Sequence, residues 1–232
     1  MSANAVSHHE LHHSRGRDHH REFLKQERKQ NRQRVAHLMK AIERTDWRRV
    51  YDNMTADMFP WAMALSQLAK LQDVPAEIQE TFQSAWIETK TVPAQVNNHR
   101  LVCAALRIML PPYTGPAVRL FRGAGFNEHR KRQYSLSWTE DYATAERFAR
   151  DYSVMHSGSV ILETVAPPAA IIAKVKYPEP YTEAEREEMR LGNIRFDEYH
   201  EEREFLVDRR GLGVGAVTVV QRFAPSEAST PR

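Results

Sequence analysis

Two carboxylates stand one residue apart in the run Tyr-His-Glu-Glu-Arg-Glu-Phe-Leu-Val-Asp, residues 199–208. Three apolar residues follow Glu204 directly, which favours a strand. Residues i and i+2 of a strand project from the same face, so Glu202 and Glu204 would face one space. Neighbouring carboxylates repel, which separates their pKa values and suits them to different chemical roles. Alone, such a pair is more typical of a solvated strand end.

A second set of polar residues lies upstream, at the ends of two predicted strands. Residues 118–123 alternate loosely and predict a strand that ends at Arg122, whose guanidinium can fork onto phosphate oxygens. Gly123 would permit close approach of the backbone to a ligand. A short strand with Ser137 and Thr139 then supplies two hydroxyl groups before a helix. Taken singly, Arg122 and Ser137 are ordinary strand-end residues.

The helix after this strand is predicted from its apolar pattern. Thr139 is a suitable N-cap, and the two acids that follow it suit a first helical turn. The buried stripe is predicted to consist of Tyr142, Ala145, Phe148 and Ala149.

Composition limits the classes of protein to consider. The 232 residues can bury a substantial core. The single cysteine, Cys103, excludes an internal disulfide, fits a reducing compartment and is interpreted as a small core residue. No apolar run approaches membrane-spanning length, and the N-terminus is not signal-like. A soluble cytoplasmic protein is therefore expected.

Positive charge is concentrated near the N-terminus. Residues 15–49 contain twelve Lys and Arg against five Asp and Glu, although the net charge of the whole chain is only +3. This basic segment could attract nucleic acid, although few aromatic residues are interleaved for base stacking. Four histidines precede it, at positions 8, 9, 12 and 13, but no cysteine or carboxylate cluster completes a metal site with them. A solvated face and no bound metal are expected.

The chain is predicted to have four parts. These are a disordered tail at 1–18, a helical domain at 19–112, an α+β domain at 113–225 and a tail at 226–232. The first long helix carries a narrow apolar stripe of Val35, Leu38, Met39 and Ile42. Later helices are predicted after Pro60, Pro75 and Pro93.

The second half is predicted to be rich in strands. Strands are expected at 159–165, 169–175 and 216–223, with an acidic helix at 182–190 and an exposed loop at 192–200. Gly211, Gly213 and Gly215 precede a strand and open no helix, so they are interpreted as a hairpin turn and not as a dinucleotide fingerprint.

Three motifs stand in order: Leu-Phe-Arg-Gly, Ser-Trp-Thr before Ala-x-x-Phe-Ala, and Glu-x-Glu before Phe-Leu-Val. This order and spacing resembles the Arg-Ser-Glu class of ADP-ribosyltransferases, the cholera-toxin-like branch, over about residues 116–223. Trp138 and Thr139 depart from the Ser-Thr-Ser motif of that family. An alternative register would use Ser135-Leu136-Ser137, but Ser137 as the motif serine suits its distance to Ala145. The resemblance implies a split β-sandwich with flanking helices, placed after the helical N-terminal region of an α+β protein.

The resemblance also implies roles for individual residues toward NAD, the co-substrate, without a metal. Arg122 would clamp the dinucleotide, Ser137 would position it and Glu204 would stabilise the oxocarbenium-like ribose. The expected NAD-binding residues are Arg122, Gly123, Ser137, Trp138, Thr139 and Tyr142. Trp138, Tyr142 and Phe148 could wall the nicotinamide, although Phe148 is interpreted as core.

The acceptor side is implied by the same resemblance. Glu202 would orient and deprotonate the acceptor, and a Glu at this position goes with a protein arginine in the family. The loop at 192–200, with Phe196 and Tyr199, would recognise the target. Members of the family commonly act as bacterial or phage toxins and effectors, some of them delivered into a target cell.

Other functions stay open at this point. Water as the acceptor would make the protein a NAD glycohydrolase. A nucleic-acid-binding module with a nucleic-acid-directed or degenerate transferase domain would use the basic segment at 15–49. A purely structural interaction domain is the third alternative.

Overall fold

Helices make up the first half of the chain. The computed structural model describes residues 6–89, 91–155, 158–176, 203–213 and 215–225. Within these ranges six helices precede the first strand: α1 Val6–Glu43, α2 Trp47–Thr55, α3 Trp61–Leu68, α4 Ala76–Glu88, α5 Val92–Val96 and α6 His99–Met109.

Local sequence signals fix where several of these helices begin. Pro60 and Pro75 are the N-caps of α3 and α4, next to first turns that leave backbone N–H groups unpaired. The side chain of Asp46 accepts a 3.2 Å hydrogen bond from the amide of Arg49 and caps α2. Asn98 caps α6 in the same way through the amide of Leu101, at 3.1 Å.

The predicted helix boundaries were wrong in two places. Helix α1 begins at Val6, so the disordered tail predicted at 1–18 is wrong from Val6 onward, because a run without proline can propagate a helix that is already nucleated. The single helix predicted after Pro93 is two helices. Asn97 separates them with φ at 47°, in the left-handed region, where a helix cannot continue.

Six described strands form one antiparallel sheet in the order β4-β5-β2-β1-β3-β6. The strands are β1 Val118–Gly125, β2 Ser137–Thr139, β3 Ser159–Ala166, β4 Ile171–Lys174, β5 Glu204–Val207 and β6 Thr218–Phe223. Two further helices, α7 Phe126–Lys131 and α8 Tyr142–Met155, lie between β1 and β3 in the sequence. The predicted α+β class is confirmed, and the described strands fall in a single sheet.

The strand order corrects the interpretation of the three glycines near the C-terminus. The segment with Gly211, Gly213 and Gly215 connects β5 to β6, which lie in different parts of the sheet and do not pair. It is therefore a crossing connection and not a hairpin turn. Gly211 is needed for packing, because a Cβ there would lie 2.8 Å from the Cα of Ala170.

One hydrophobic core joins the helical half to the sheet. Its buried members include Leu38, Phe82 and Leu106 from the helices and Ile172 and Leu206 from the strands, so it crosses the predicted boundary at residue 112. The stripe predicted on α1 is confirmed for its three buried members, Val35, Leu38 and Ile42, and its fourth member, Met39, packs against the same core partly buried.

Helix α8 covers part of the sheet through small residues. Ala145 and Ala149 are fully buried and pack with Phe121 of β1 and Ile161 of β3. No helix in the described ranges is both long enough and apolar enough to cross a membrane. The predicted acidic helix at 182–190 and the loop at 192–200 lie outside the described residues.

Candidate functional site

Arg122, Ser137 and Glu204 line one cavity, although 82 positions of sequence separate the first from the last. The cavity has a volume of about 210 Å³. Its lining comes from β1, β2, β5 and α8 and from the residue that precedes β2 by two positions: Phe121, Arg122, Gly123, Ser135, Ser137, Trp138, Thr139, Thr144, Ala145, Phe148, Tyr152 and Glu204.

Strand pairing brings Ser137, Thr139 and Glu204 to one face of the sheet, whereas the side chain of Arg122, the neighbour of Phe121, projects from the other face. Thr139 of β2 lies opposite Phe121 on one neighbouring strand and opposite Glu204 on the other. Residues directly opposite each other in an antiparallel sheet project from the same face. Ser137 lies two positions from Thr139 and shares that face, so the hydroxyls of β2 and the carboxylate of β5 point to the same side.

Arg122 is almost buried and makes polar contacts with two segments. Its Nη1 donates a 2.6 Å hydrogen bond to the main-chain carbonyl oxygen of Ser137. Its Nε and Nη2 lie 3.1 Å from Oε1 of Glu128, on α7. The same carboxylate oxygen accepts a 2.9 Å hydrogen bond from the amide of Ser135. Arg122 and Glu128 together therefore fix the segment that leads into β2, and two guanidinium N–H groups are left over from these bonds.

Glu204 is the acidic residue of the cavity. It is 9% exposed and begins β5, and its main-chain carbonyl accepts a 2.9 Å hydrogen bond from the amide of Val175. A carboxylate held at the edge of a small cavity with hydroxyl neighbours can stabilise positive charge that develops on a bound molecule. Ser135 and Ser137, the two serines considered for the middle motif, both line the cavity.

The aromatic residues predicted at the site differ in their positions relative to the cavity. The ring of Trp138 is 2% exposed and packs edge-on against Tyr134 in the core on the other face of the sheet, although the residue also borders the cavity. Tyr142 lies outside the cavity lining and contacts Phe121 and the side-chain oxygen of Gln221. Phe148 is 36% exposed and lines the cavity, so its interpretation as a core residue was wrong.

Thr139 and Gly123 both contact α8 or its N-terminus, and α8 forms one side of the cavity. Thr139 is not the N-cap of this helix. Asp141 is, since its carboxylate accepts a 2.7 Å hydrogen bond from the amide of Thr144, and Thr139 supports it by accepting from the amide of Asp141 at 2.9 Å. Gly123 borders the cavity, but its missing side chain is required by packing, because a Cβ there would lie 2.4 Å from the carbonyl oxygen of Ala145.

Several residues of the site were missed in the sequence. Glu128 lies on α7, between β1 and β2, and nothing in its spacing from Arg122 signals an ion pair. Thr144 and Tyr152 line the cavity from α8, on the same side of the helix as Phe148. The helical period could have grouped these three residues. The predicted acceptor-side residues Glu202, Phe196 and Tyr199 lie outside the described residues.

A second polar cluster lies beyond the opposite end of β5 from Glu204. His99 and Cys103 of α6 meet Asp208, which follows β5 and whose carboxylate is held by the side chain of Arg210. Burial raises the pKa of the Cys103 thiol to about 12. Burial would also raise the pKa of Asp208, but hydrogen bonds from Arg210 and His99 outweigh this effect and hold it below its usual value. The prediction that Cys103 is buried is confirmed, although two of its neighbours are polar.

Comparison with known proteins identifies no relative. No family model matches the chain, and neither the curated proteins nor the solved structures include a match.

Proposed function

We propose that this protein is a NAD-dependent mono-ADP-ribosyltransferase. The observation that carries the proposal is that three adjacent strands bring Arg122, Ser137 and a nearly buried carboxylate, that of Glu204, to the border of one cavity. The three motifs that resemble the Arg-Ser-Glu class contain these three residues. Chance resemblance of three short motifs would not require their central residues to share a cavity.

The cavity fits one end of the dinucleotide. Its volume of about 210 Å³ is below the range of about 300–1,000 Å³ for pockets that enclose a drug-sized ligand. The nicotinamide and its ribose would therefore lie inside, between Phe148 of α8 and the carboxylate of Glu204, and the rest of NAD would extend outward. Arg122 projects from the face of β1 opposite to Glu204, so its remaining N–H groups would meet phosphate or ribose oxygens only where NAD extends beyond the cavity at the Ser137 end of β2.

The reaction breaks the bond between the ribose C1′ and the nicotinamide nitrogen. The bonding electrons leave with nicotinamide, which departs neutral, and positive charge develops on the ribose. Glu204 would stabilise that charge and accept a hydrogen bond from the ribose 2′-hydroxyl. Ser137 would hold the ribose and Glu204 in position and would not act as a nucleophile. An acceptor nitrogen then bonds to C1′ and loses a proton, so NAD and acceptor yield the ADP-ribosylated acceptor, nicotinamide and one proton.

The acceptor proposed is an arginine side chain of a protein. Glu202 precedes Glu204 by two positions, and a carboxylate there can pair with a guanidinium and take its proton. Phe196 and Tyr199, in the segment that leads to Glu202, are proposed to contact the target protein.

The decisive experiment compares Glu204→Gln with Glu163→Gln. Both residues are glutamates on strands of the same sheet, but Glu163 pairs with Arg119 and does not line the cavity. Purified protein is incubated with NAD labelled on the adenylate and with cell lysate, and label on protein and released nicotinamide are measured. E204Q is expected to lower both by about 10²–10³-fold, whereas E163Q keeps them near the wild-type level. A folded E204Q protein that transfers label normally would refute the proposal.

The same assay separates a transferase from a glycohydrolase. With an arginine-rich protein as acceptor, a transferase places label on protein in proportion to the nicotinamide released. A glycohydrolase releases nicotinamide at the same rate with or without the acceptor and leaves the protein unlabelled.

A further inference from the structure

Three side chains of metal-binding type converge where α6 meets the end of β5. The Nε2 atom of His99 lies 3.2 Å from Oδ1 of Asp208 and 3.4 Å from Sγ of Cys103. All three ligand atoms lie within 4.8 Å of one another. We call these residues the His99–Cys103–Asp208 cluster. It shares no residue with the cavity of Arg122, Ser137 and Glu204.

Hydrogen bonds already link the three side chains, because the carboxylate of Asp208 bonds to His99, to Arg210 and to the thiol of Cys103. Cys103 and Asp208 both approach Nε2 of His99, and one imidazole nitrogen either donates one hydrogen or accepts at one lone pair. A nucleophilic cysteine relay is also excluded, because it needs the thiol and the carboxylate on opposite nitrogens of the imidazole. The three potential ligand atoms therefore lie close together, joined by hydrogen bonds that a metal ion would replace.

Two of the three ligand separations are close to those expected around a tetrahedral zinc ion, and the third, between Sγ of Cys103 and the carboxylate of Asp208, is within 4.8 Å. With Zn–N near 2.05 Å, Zn–O near 2.0 Å and Zn–S near 2.3 Å, two ligands at the tetrahedral angle lie about 3.3 Å apart for N and O and about 3.6 Å apart for N and S. The observed separations are 3.2 Å and 3.4 Å. We propose that His99, Cys103 and Asp208 bind one Zn²⁺ ion, with water at the fourth position.

The burial of the ligands suits such a site, while Arg107, Arg209 and Arg210 bring positive charge close to it. His99 and Cys103 are four residues apart on α6, so they project from one face of the helix. Cys103 is fully buried and the side chain of Asp208 is 6% exposed, while that of His99 is 15% exposed and leaves a route from solvent. Neutral imidazole and thiolate bind zinc well, whereas calcium and magnesium prefer oxygen ligands.

Arg210 would hold the carboxylate while Asp208 binds the metal. Its Nη2 donates to Oδ2 of Asp208 at 2.7 Å, and its Nε donates to Oδ1 at 3.0 Å. On zinc binding Oδ1 exchanges its bonds to Arg210 and His99 for the metal, and Oδ2 keeps its bond to Arg210. Ligating carboxylates are commonly oriented by such a second partner. The thiol of Cys103 releases one proton, and the charges of Zn²⁺, thiolate and carboxylate then sum to zero.

Zinc at this position would link the helical half to the sheet, and this role is independent of the proposed reaction with NAD. The ligands on α6 and the ligand after β5 are more than one hundred positions apart in the sequence. Zinc binding is therefore expected to raise the melting temperature of the protein by stabilising the contact of these two elements.

Cobalt substitution tests the site directly, because Cys103 is the only cysteine of the chain. Any thiolate-to-Co²⁺ charge-transfer band must then come from Cys103. The titration uses full-length reduced protein in which His8, His9, His12 and His13 are replaced by Asn, so that the N-terminal histidines do not bind metal. One equivalent of Co²⁺ is expected to produce the band with tetrahedral d–d absorption, and one equivalent of Zn²⁺ is expected to abolish it.

Three variants complete the test. Cys103→Ser removes the band, and His99→Gln or Asp208→Asn weakens zinc binding by more than about 100-fold, each shown folded by circular dichroism. His37→Gln, on the exposed side of α1, is the matched control and leaves zinc binding unchanged. Absence of the band at saturating Co²⁺ overturns the proposal. So does a band that persists unchanged in both folded His99 and Asp208 variants.

Discussion

The Nη1 atom of Arg122 donates a 2.6 Å hydrogen bond to the main-chain carbonyl oxygen of Ser137. This bond links the arginine of β1 to the backbone of the serine on β2, the neighbouring strand. The guanidinium also contacts Glu128, which accepts from the amide of Ser135. Arg122 therefore has a structural task whether or not it contacts a dinucleotide, and its substitution is expected to affect both stability and activity.

Arg122→Lys tests the structural task. Lysine keeps the charge but lacks the planar fork that reaches Glu128 and the carbonyl of Ser137 together. The free energy of unfolding should fall by about 1–3 kcal/mol, because a nearly buried polar group loses its partner. Arg119→Lys is the matched control, since Arg119 lies on the same strand and pairs with Glu163 while 66% exposed. Arg119→Lys should lower the free energy of unfolding by at most about 1 kcal/mol. Urea denaturation measures the free energy of unfolding of the two variants. Equal decreases would mean that the contacts of Arg122 contribute no more to stability than the exposed ion pair of Arg119.

Glu128→Gln tests whether Glu128 positions Arg122 for the proposed reaction. The amide still accepts from Ser135 but no longer offers a charged partner to the guanidinium. Charge-assisted hydrogen bonds contribute about 1.5–3 kcal/mol, so kcat/KM for NAD should fall by about tenfold or more. Steady-state release of nicotinamide measures this, with Glu163→Gln as the control. An unchanged kcat/KM would show that Arg122 needs no orientation by Glu128.

Local elements were easier to predict than the contacts among them. Ala145 and Ala149 were correctly placed on the buried face of α8, because helical period and residue size suffice to identify a packed stripe. Tyr142 and Phe148 belong to the same pattern but are more than one third exposed. Periodicity identifies the side of a helix that faces the sheet, and it does not distinguish a core from the wall of a cavity.

The candidate site depends on pairings that are remote in the sequence. Glu204 reaches Ser137 only because β5 pairs with β2, and strand order is set by the whole sheet. The motifs identified these two residues without that information. The spacing of His99 and Cys103 on α6 is visible in the sequence, but no motif points to it. Asp208 joins these two residues only through the fold.

Gly123→Ala tests the close packing of α8 on β1. An added Cβ would lie 2.4 Å from the carbonyl oxygen of Ala145 and from the amide nitrogen of Ala149, both parts of a backbone that cannot move alone. Overpacking of this kind costs typically about 1–3 kcal/mol, and contact with backbone favours the upper end. Gly213→Ala is the matched control, because the nearest atom to its Cβ would be 3.9 Å away. Denaturant midpoints that fall equally in both variants would contradict the packing argument.

Asp141 provides a pH-dependent test of the helix that walls the cavity. Hydrogen bonds from the side chain and the amide of Thr144 hold the pKa of Asp141 below its usual value, despite partial burial. A carboxyl whose pKa is lower in the folded state stabilises the protein above the unfolded pKa of about 3.9, and this contribution is lost as the pH falls through the folded pKa.

Asp141→Ala should therefore lower the free energy of unfolding by about 1 kcal/mol at pH 7, as expected for an N-cap, and by progressively less as the pH falls below about 4. Asp141→Asn keeps an acceptor for the amide of Thr144, so it should cost less than alanine at pH 7 and show a weaker dependence on pH. Asp151→Ala, at an exposed position of the same helix, should change stability by at most about 0.5 kcal/mol at either pH. Urea denaturation of the three variants at pH 7 and pH 3 gives the comparison. A loss in Asp141→Ala that does not diminish toward pH 3 would mean that the charge of Asp141 does not contribute to capping α8.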